Sequence, residues 1–272
     1  MFSLIEKWDT IAFLIYNFYA CLRYICFDRF RYRKYLRKNK ELKNKHAGQR
    51  CFIVLSGPSV ANHDLSKITD EVTFCCNNFY RATYYDVVNP DYYCISDSGI
   101  AEETFREELT RILEKDSRFI FNKKVLKVLS EEQQKNIHIV YGMHMPNIRK
   151  LRGNLSGLSS SFMNASCFAI LCAIYMGFSI IYVIGLDHDW KIGSITHCYE
   201  DTQSEDDSIS ICSYHKNKNR SCYFHWGNYL TNLQSFYLDR FADKNNVKIY
   251  NVNQNSQIMA YDFIDYESIF TK

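Results

Sequence analysis

Side chains that can hydrogen-bond a nucleotide recur directly after the apolar runs of this sequence. A Ser-Gly-Pro-Ser segment follows the run that ends at Leu55, two amides follow the run that ends at Cys76, and Ser-Asp follows Ile95. Hydroxyls, amides and free backbone N–H groups are the groups that hold the base, ribose and phosphates of a nucleotide. The candidate nucleotide-binding residues of this pattern are Ser56, Gly57, Pro58, Ser59, Asn77, Asn78, Ser96, Asp97, Gly185, Asp187 and Asp189.

The segment Asp187-His188-Asp189 also fits a second chemistry. Its DxD spacing is one in which two carboxylates hold a divalent cation that bridges a diphosphate. The other interpretation is that Asp187 caps the loop and Asp189 faces solvent. We favour this second interpretation and expect no cofactor, which leaves a cation at Asp187 and Asp189 as the less favoured hypothesis. The dinucleotide motif GxGxxG and the phosphate-loop motif GxxxxGK[ST] are both absent from the sequence.

The apolar runs are short and rich in β-branched and aromatic residues, which is typical of buried strands. Because they alternate with helical segments, we predict an α/β protein with a Rossmann-like, mostly parallel sheet and helices on both faces. Ligands of such sheets bind at the carboxyl ends of the strands, where the candidate residues lie. The predicted strands are residues 51–57, 71–80, 90–99, 118–125, 137–143, 180–185 and 247–253, and the later predicted helices are residues 159–177, with Ser caps at the start, and 229–244.

Composition bounds the class of protein. The chain has 272 residues, of which 47% are hydrophobic and 23% charged, so disordered and collagen-like classes are excluded. Its 11 cysteines are scattered without CxxC spacing, which indicates buried thiols in a reducing compartment rather than a disulfide framework or a zinc site.

The N-terminal residues 1–49 differ from the remainder, and we predict that they form a helical extension to a catalytic domain at residues 50–272 with a lid-like loop at about 191–222. An aromatic stretch, Trp8–Phe27, precedes a segment, Arg29–Arg50, that holds ten Lys or Arg and a single Glu. Asp9, Asn17 and Arg23 interrupt the apolar stretch, so a membrane-spanning helix is disfavoured. We favour a segment that lies on an anionic membrane surface over a helix that only packs on the core. Nucleic-acid binding is disfavoured because no recognition motif accompanies the charge.

These motifs resemble the glycosyltransferase family 42 sialyltransferases. The shared features are a strand that ends in Gly57-Pro58-Ser59, a second that ends in CN-x-FY, and a later helix that leads into IYVIGLD. The same skeleton is similar to bacterial capsule and lipopolysaccharide transferases and to archaeal-type 6-hydroxymethylpterin pyrophosphokinases. The resemblance covers roughly residues 50–260 and implies a GT-A-like variant of the parallel sheet.

The resemblance assigns roles to several of the candidates. It implies that the Gly57–Ser59 loop and Asn77 with Asn78 bind the nucleotide of the donor, and that Ser96 or Asp97 supplies a further polar group. It also places Ser160 and Ser161 at the start of the central helix, where free N–H groups would bind an anionic donor. The chain departs from the family at Leu55-Ser56, where Gly-Asn is usual. It departs again after Asp187, where His188, His197 and Tyr199 occur in the region in which the family has tyrosines for the departing phosphate.

Transfer to a sugar hydroxyl requires a base with a pKa near neutrality, which suits histidine. The resemblance favours His225, which precedes the predicted late helix, with His188 and His197 as competitors.

We therefore predict an inverting glycosyltransferase that takes an acidic sugar from a CMP donor. Its predicted partners are a nucleotide-sugar donor, a cell-surface glycan or glycolipid acceptor and an anionic membrane surface, with homo-oligomer formation left open. The predicted location is cytoplasmic, peripheral on the inner face of the cell membrane. The alternatives are a phosphotransferase related to 6-hydroxymethylpterin pyrophosphokinase and a non-catalytic membrane-bound scaffold.

Overall fold

The predicted apolar strands form one parallel sheet. The computed structural model describes residues 2–96, 106–144, 151–188, 197–198 and 218–271. Eight strands pair in the order β10-β9-β8-β1-β2-β3-β4-β5, and every pair is parallel, so the predicted fold class is confirmed. The strands are β1 Arg50–Val54, β2 Val72–Cys76, β3 Tyr92–Ile95, β4 Arg118–Asn122, β5 His138–Val140, β6 Gly142–His144, β7 Ser159–Ser161, β8 Ile180–Ile184, β9 Lys248–Asn251 and β10 Asp262–Phe263.

The order of the strands reverses beside β1. From β1 the chain continues outward through β2, β3, β4 and β5, and then returns to add β8 on the other side of β1. At such a reversal the connections leave the sheet in opposite directions, so a crevice opens at the carboxyl ends of the two strands. This reversal lies between the ends of β1 and β8, and we call the region at these two carboxyl ends the crevice.

Helices cover the sheet and precede it. A π-helical turn, Tyr24–Asp28, interrupts the N-terminal helical segment, and short 3-10 turns follow several strands. The described α-helices are α1 Phe2–Arg23, α2 Arg29–Arg31, α3 Arg33–Lys38, α4 Tyr85–Val88, α5 Arg106–Leu113, α6 Glu131–Lys135, α7 Ala165–Met176 and α8 Lys218–Lys244. The 3-10 turns are Asn39–Leu42, Pro58–Asn62, Leu65–Ile68, Asn77–Arg81, Lys123–Lys127 and Glu267–Ile269.

Alternate residues of the strands face two separate core layers. Cys51 and Ile53 of β1 pack against α7 on one face, whereas Phe52 and Val54 pack into the layer on the other face. Every residue of α7 from Ser166 to Met176 is buried. A helix that is apolar all round requires cover on all sides, and the sheet and α8 supply part of that cover.

Two predicted helix starts are wrong. The central helix begins at Ala165, not at Ser159, because Ser159–Ser161 pairs as β7 with Gly142–His144 in a second, two-stranded sheet. The Asn164 side chain caps the helix instead by accepting a hydrogen bond from Cys167 N–H (3.0 Å). The late helix begins at Lys218 rather than near Tyr229. The same second sheet divides the strand predicted at residues 137–143 into β5 and β6.

The N-terminal segment packs on the domain through residues on both sides of its π-helical turn. Ala20, Leu36 and Leu42 are buried, and the buried Asn39 amide donates to the carbonyls of Ile139 (2.9 Å) and Leu155 (2.8 Å). The predicted boundary between residues 49 and 50 stays a prediction. Within the described ranges, no helix is long and apolar enough to cross a membrane.

Candidate functional site

A carboxylate joins the two strand ends that border the crevice. Asp187, after β8, accepts hydrogen bonds from the backbone N–H of Ser59 (2.8 Å), from the Ser59 hydroxyl and from the amide of Asn253 (2.6 Å). Asn253 itself follows β9. We call Ser59, Asp187 and Asn253 the clasp, because they tie together the ends of β1, β8 and β9.

Two glycines let the backbones approach closely at the clasp. A Cβ atom on Gly57 would lie 2.7 Å from the Asp187 carboxylate and closer still to the carbonyl oxygen of Gly185. Gly185 has a φ of +73°, and a Cβ there would lie 2.5 Å from the Leu55 carbonyl. The Gly57 N–H donates to the Gly185 carbonyl at 3.0 Å. Both positions therefore require glycine, one for lack of space and the other also for its backbone conformation.

Beside the clasp, two amide residues, Asn77 and Asn78, follow the end of β2. Asn77 adopts a left-handed conformation with a φ of +47°, and the Tyr93 hydroxyl fixes its backbone by donating to the Asn77 carbonyl (2.6 Å) while accepting from Tyr80 N–H (3.0 Å). The side-chain oxygens of Asn77 and Asn78 are buried, and neither has a hydrogen-bond partner among the residues that the structure describes. An unsatisfied buried amide costs roughly 1–3 kcal/mol, so a partner for these two oxygens is expected.

Two of the predicted histidines lie at the crevice. His197 Nδ1 is 3.2 Å from the Ser56 hydroxyl, and the next residue, Cys198, donates its N–H to the Ser56 carbonyl (2.7 Å). His188 follows Asp187 with a φ of +51°, and its burial lowers its pKa to about 4. At neutral pH, His188 is therefore uncharged and a weak base.

The third histidine, His225, is not where it was predicted. It lies inside α8, two turns after the helix begins at Lys218, and its side chain is exposed. The reason for preferring it, a position just before the helix, is therefore wrong. Its role as a base stays a prediction.

The remaining candidates that the structure describes lie after β1, after β3 and within β7. Ser96 follows β3 and is half-buried. Ser160 is buried and pairs with Arg152, whose N–H donates to the Ser160 hydroxyl (3.0 Å) while Ser160 N–H donates to the Arg152 carbonyl (3.0 Å). The Ser161 hydroxyl accepts from the Asn122 amide at 3.4 Å. Pro58 begins the 3-10 turn after β1. The other three candidates, Asp97, Asp189 and Tyr199, lie outside the described residues.

The donor set around Asp187 bears on the metal hypothesis. Both oxygens of this carboxylate already accept hydrogen bonds from the clasp, and its proposed partner Asp189 lies outside the described residues. Across the described ranges, no group of three or more His, Cys, Asp or Glu side chains could hold a metal ion. The geometry at Asp187 is that of a structural tie between loops.

Sequence reasoning missed Asn253 and Asn164. Asn253 stands at the end of the predicted strand 247–253, so the rule that singled out Asn77 also applies to it. Asn164 is an Asn directly before an unbroken apolar helix, which is an N-cap signal that the preceding serines obscured.

The nine cysteines that the structure describes carry free thiols, and the reducing compartment stays a prediction. Burial raises the pKa of Cys51, Cys75 and Cys94 well above the usual value, which leaves these thiols protonated and unreactive.

The sheet order and the crevice between β1 and β8 define a Rossmann-like α/β protein with a polar candidate site at its strand-order reversal. The model of one protein family, described as 6-hydroxymethylpterin diphosphokinase MptE-like, matches residues 30–193. Since the match spans more than half of the chain, the protein belongs to this family. This family corresponds to the 6-hydroxymethylpterin pyrophosphokinases that the sequence motifs also resemble. The match begins within the N-terminal segment.

Two solved structures are similar to the chain, both of the sialyltransferase CstII from Campylobacter jejuni. The complex with cytidine-5'-monophosphate is 14% identical, with a TM-score of 0.49 over 80% of this chain and 85% of that chain. The complex with CMP-3FNeuAc is also 14% identical, with a TM-score of 0.44 over 79% of this chain and 85% of that chain. No curated protein sequence matches the chain.

Proposed function

We propose that the protein is a transferase that binds a nucleotide-activated donor at the carboxyl ends of β1, β2 and β8. The observation that supports this proposal is the pair of buried amide oxygens at Asn77 and Asn78, for which the described part of the chain supplies no hydrogen-bond partner. A side-chain amide accepts a hydrogen bond from an exocyclic amine and donates to a ring nitrogen or carbonyl, so it matches the edge of cytosine or adenine. The clasp holds the adjacent Gly57–Ser59 loop in place for the ribose and phosphate.

Our first choice of reaction is inverting glycosyl transfer from a CMP-activated acidic sugar to a hydroxyl of a glycan or glycolipid. The acceptor oxygen attacks the anomeric carbon, the bond from that carbon to the phosphate oxygen breaks, and CMP leaves with the bonding electrons. The acceptor proton must pass to a base. Among the described histidines, His197 has the geometry best suited to that role, because it lies at the Ser56 end of β1 and is half-buried.

A second candidate reaction is the transfer of diphosphate from ATP to a hydroxymethyl group. The observation that favours it is the match to the 6-hydroxymethylpterin diphosphokinase MptE-like family. Phosphoryl transfer places several negative charges together and depends on Mg²⁺ and on cationic side chains. A requirement for ATP and Mg²⁺ would therefore mark this reaction.

Nucleotide binding is tested first, by thermal-shift measurements with CMP, UDP, GDP and ATP. Asn77→Gly removes the amide but keeps a residue that tolerates the positive φ, and Asn89→Gly is the matched control at an exposed left-handed Asn. We expect one nucleotide to raise the melting temperature of the native protein and of the control. The loss of a buried hydrogen bond should weaken that nucleotide about five- to 150-fold in Asn77→Gly. Equal affinity in both variants would remove Asn77 from the site.

The reaction is assigned from the products. Release of CMP with transfer of an acidic sugar supports the first choice, whereas formation of AMP from ATP in the presence of Mg²⁺ supports the second. For either reaction, His197→Ala should lower turnover by about 10²–10⁴-fold with the nucleotide affinity retained. His188→Ala and His225→Ala are measured in parallel. Loss of turnover in one of those variants and not in His197→Ala would move the base to that histidine.

A further inference from the structure

The N-terminal helix α1 exposes large apolar side chains, whereas a surface helix of a soluble protein usually turns its apolar face to the core. Two of its residues contact the domain through one side chain: the Arg152 guanidinium donates to the Asn17 amide oxygen (3.2 Å) and contacts Cys21 Sγ (3.1 Å). Ala20 between them is fully buried. The opposite face is apolar and exposed. Its exposed large hydrophobic residues are Ile11, Leu14, Ile15, Tyr16, Phe18, Tyr19, Leu22, Ile25, Phe27 and Phe30.

A buried carboxylate fixes this orientation. Asp28, in the π-helical turn, is only 4% exposed and accepts hydrogen bonds from Arg23 Nε (3.0 Å) and from the Tyr141 hydroxyl. The Lys123 ammonium lies 3.5 Å from the centre of the Tyr141 ring. Rotating the helix to bury its apolar face would break these contacts and take the Asp28 acceptor away from the buried Tyr141 hydroxyl, which is costly. The apolar face therefore stays outward.

The exposed residues make a continuous surface. Ile11, Leu14, Ile15, Phe18 and Leu22 recur at helical spacing, and Ile25, Phe27 and Phe30 extend the surface past the turn. Exposed patches of this size mark sites of interaction with a protein or a membrane. We call these residues, from Ile11 to Phe30, the apolar face.

A basic cavity adjoins the end of the apolar face. It has a volume of about 440 Å³ and is lined by Arg29, Arg33, Arg37 and Lys40 together with Tyr24, Phe30, Leu36 and Ser156. Within the described part of the chain, none of the four cations has an ion-pair partner. Phe30 belongs both to the cavity and to the apolar face, so the two features are contiguous.

We infer that this surface docks on a bilayer that contains anionic phospholipids. The apolar face enters the boundary between headgroups and acyl chains, and the cavity takes a headgroup phosphate through Arg29, Arg33 and Arg37. A second copy of the chain fits less well, because a two-fold interface centred on the apolar face would bring two such sets of cations close together. A bilayer instead supplies both the apolar medium and the negative charge.

The inference goes beyond the proposed reaction and does not depend on it. The test is co-sedimentation of the full chain with vesicles of phosphatidylcholine alone or with phosphatidylglycerol added. The first variant is Arg29→Gln/Arg33→Gln/Arg37→Gln. Its matched control, Arg111→Gln/Lys127→Gln/Lys244→Gln, removes the same charge at three exposed positions elsewhere. A second variant, Phe18→Ser/Phe27→Ser, removes apolar area alone.

We expect the wild type and the control to bind phosphatidylglycerol vesicles and to release them partly at high salt. A cation near an anionic surface contributes about fivefold in affinity, so the triple Arg variant should bind about 100-fold more weakly. The Phe variant should lose the binding that persists at high salt.

Equal binding by the triple Arg variant and the control would overturn the inference, as would equal binding of the wild type to both vesicle types. Self-association that vesicles do not reverse would assign the surface to a second copy. If inorganic phosphate raises the melting temperature of the wild type but the protein does not bind vesicles, the cavity would be a site for a free anion.

A salt titration of wild-type binding keeps the test decisive if a variant fails to fold. Binding to phosphatidylglycerol that does not weaken between low and high salt would show that the cations do not take part, and would also overturn the inference.

Discussion

Replacing Asp187 by Asn removes one negative charge from the clasp and changes little else. The carboxylate accepts three hydrogen bonds, from Ser59 N–H (2.8 Å), from the Ser59 hydroxyl and from the Asn253 amide (2.6 Å). Asn keeps one acceptor oxygen and replaces the other by an NH₂ group. That NH₂ group must face at least one of the three donors, so at least one charge-assisted hydrogen bond is lost and a donor is set against a donor.

The magnitude follows from these contacts. A hydrogen bond to a charged group contributes about 1.5–3 kcal/mol, and an unsatisfied donor adds a desolvation cost of similar order. We therefore expect Asp187→Asn to lower the free energy of unfolding by about 2–4 kcal/mol. For a chain of this size that corresponds to a melting temperature lower by roughly 4–15 °C.

The assay is urea unfolding followed by circular dichroism, with the midpoint and slope fitted separately. Asp243→Asn is the matched control, because Asp243 is exposed and its carboxylate pairs with Lys248 at the surface (2.7 Å). That control should lose less than about 1 kcal/mol. Equal stabilities of Asp187→Asn and Asp243→Asn would refute the clasp as a source of stability and would reopen Asp187 as a ligand of an external group.

Two further predictions concern the crevice and two separate histidines, His138 and His188. Gly57→Ala should lower the free energy of unfolding in urea by about 1–3 kcal/mol and weaken nucleotide binding, because the new Cβ would meet the Gly185 backbone. Unchanged stability would contradict the close approach of the two backbones. Burial lowers the pKa of both His138 and His188 to about 4, although the exposed Glu41 carboxylate lies 3.2 Å from His138 Nε2. In the unfolded chain the histidine pKa is near 6.5, so below that pH the unfolded chain binds more protons than the folded protein. The free energy of unfolding should therefore fall as the pH drops from about 6.5 towards 4, by up to about 1.4 kcal/mol per histidine and pH unit. His138→Gln should remove about half of that pH dependence, and a profile as steep as that of the wild type would exclude His138 as a source.

Most of the sheet could be predicted from the sequence, because strand formation is signalled locally. Short runs such as CFIVL and IIYVI are apolar at every position, as a strand buried on both faces requires. The start of the central helix could not be predicted in this way. Ser159–Ser161 resembles a cap, but it pairs with Gly142–His144, and a local signal cannot anticipate a partner from another part of the chain.

Most residues of the candidate site, though not Asn253, could be named from the sequence, whereas the tertiary structure decided which of them contact one another. Ser59 and Asp187 are 128 positions apart, and only the placement of β8 beside β1 lets the carboxylate be used within the protein. The same sheet leaves Asn77 and Asn78 with buried oxygens and no described partner. Polar side chains at strand ends are alike in sequence. Which of them form hydrogen bonds within the fold depends on contacts between strands that are distant along the chain.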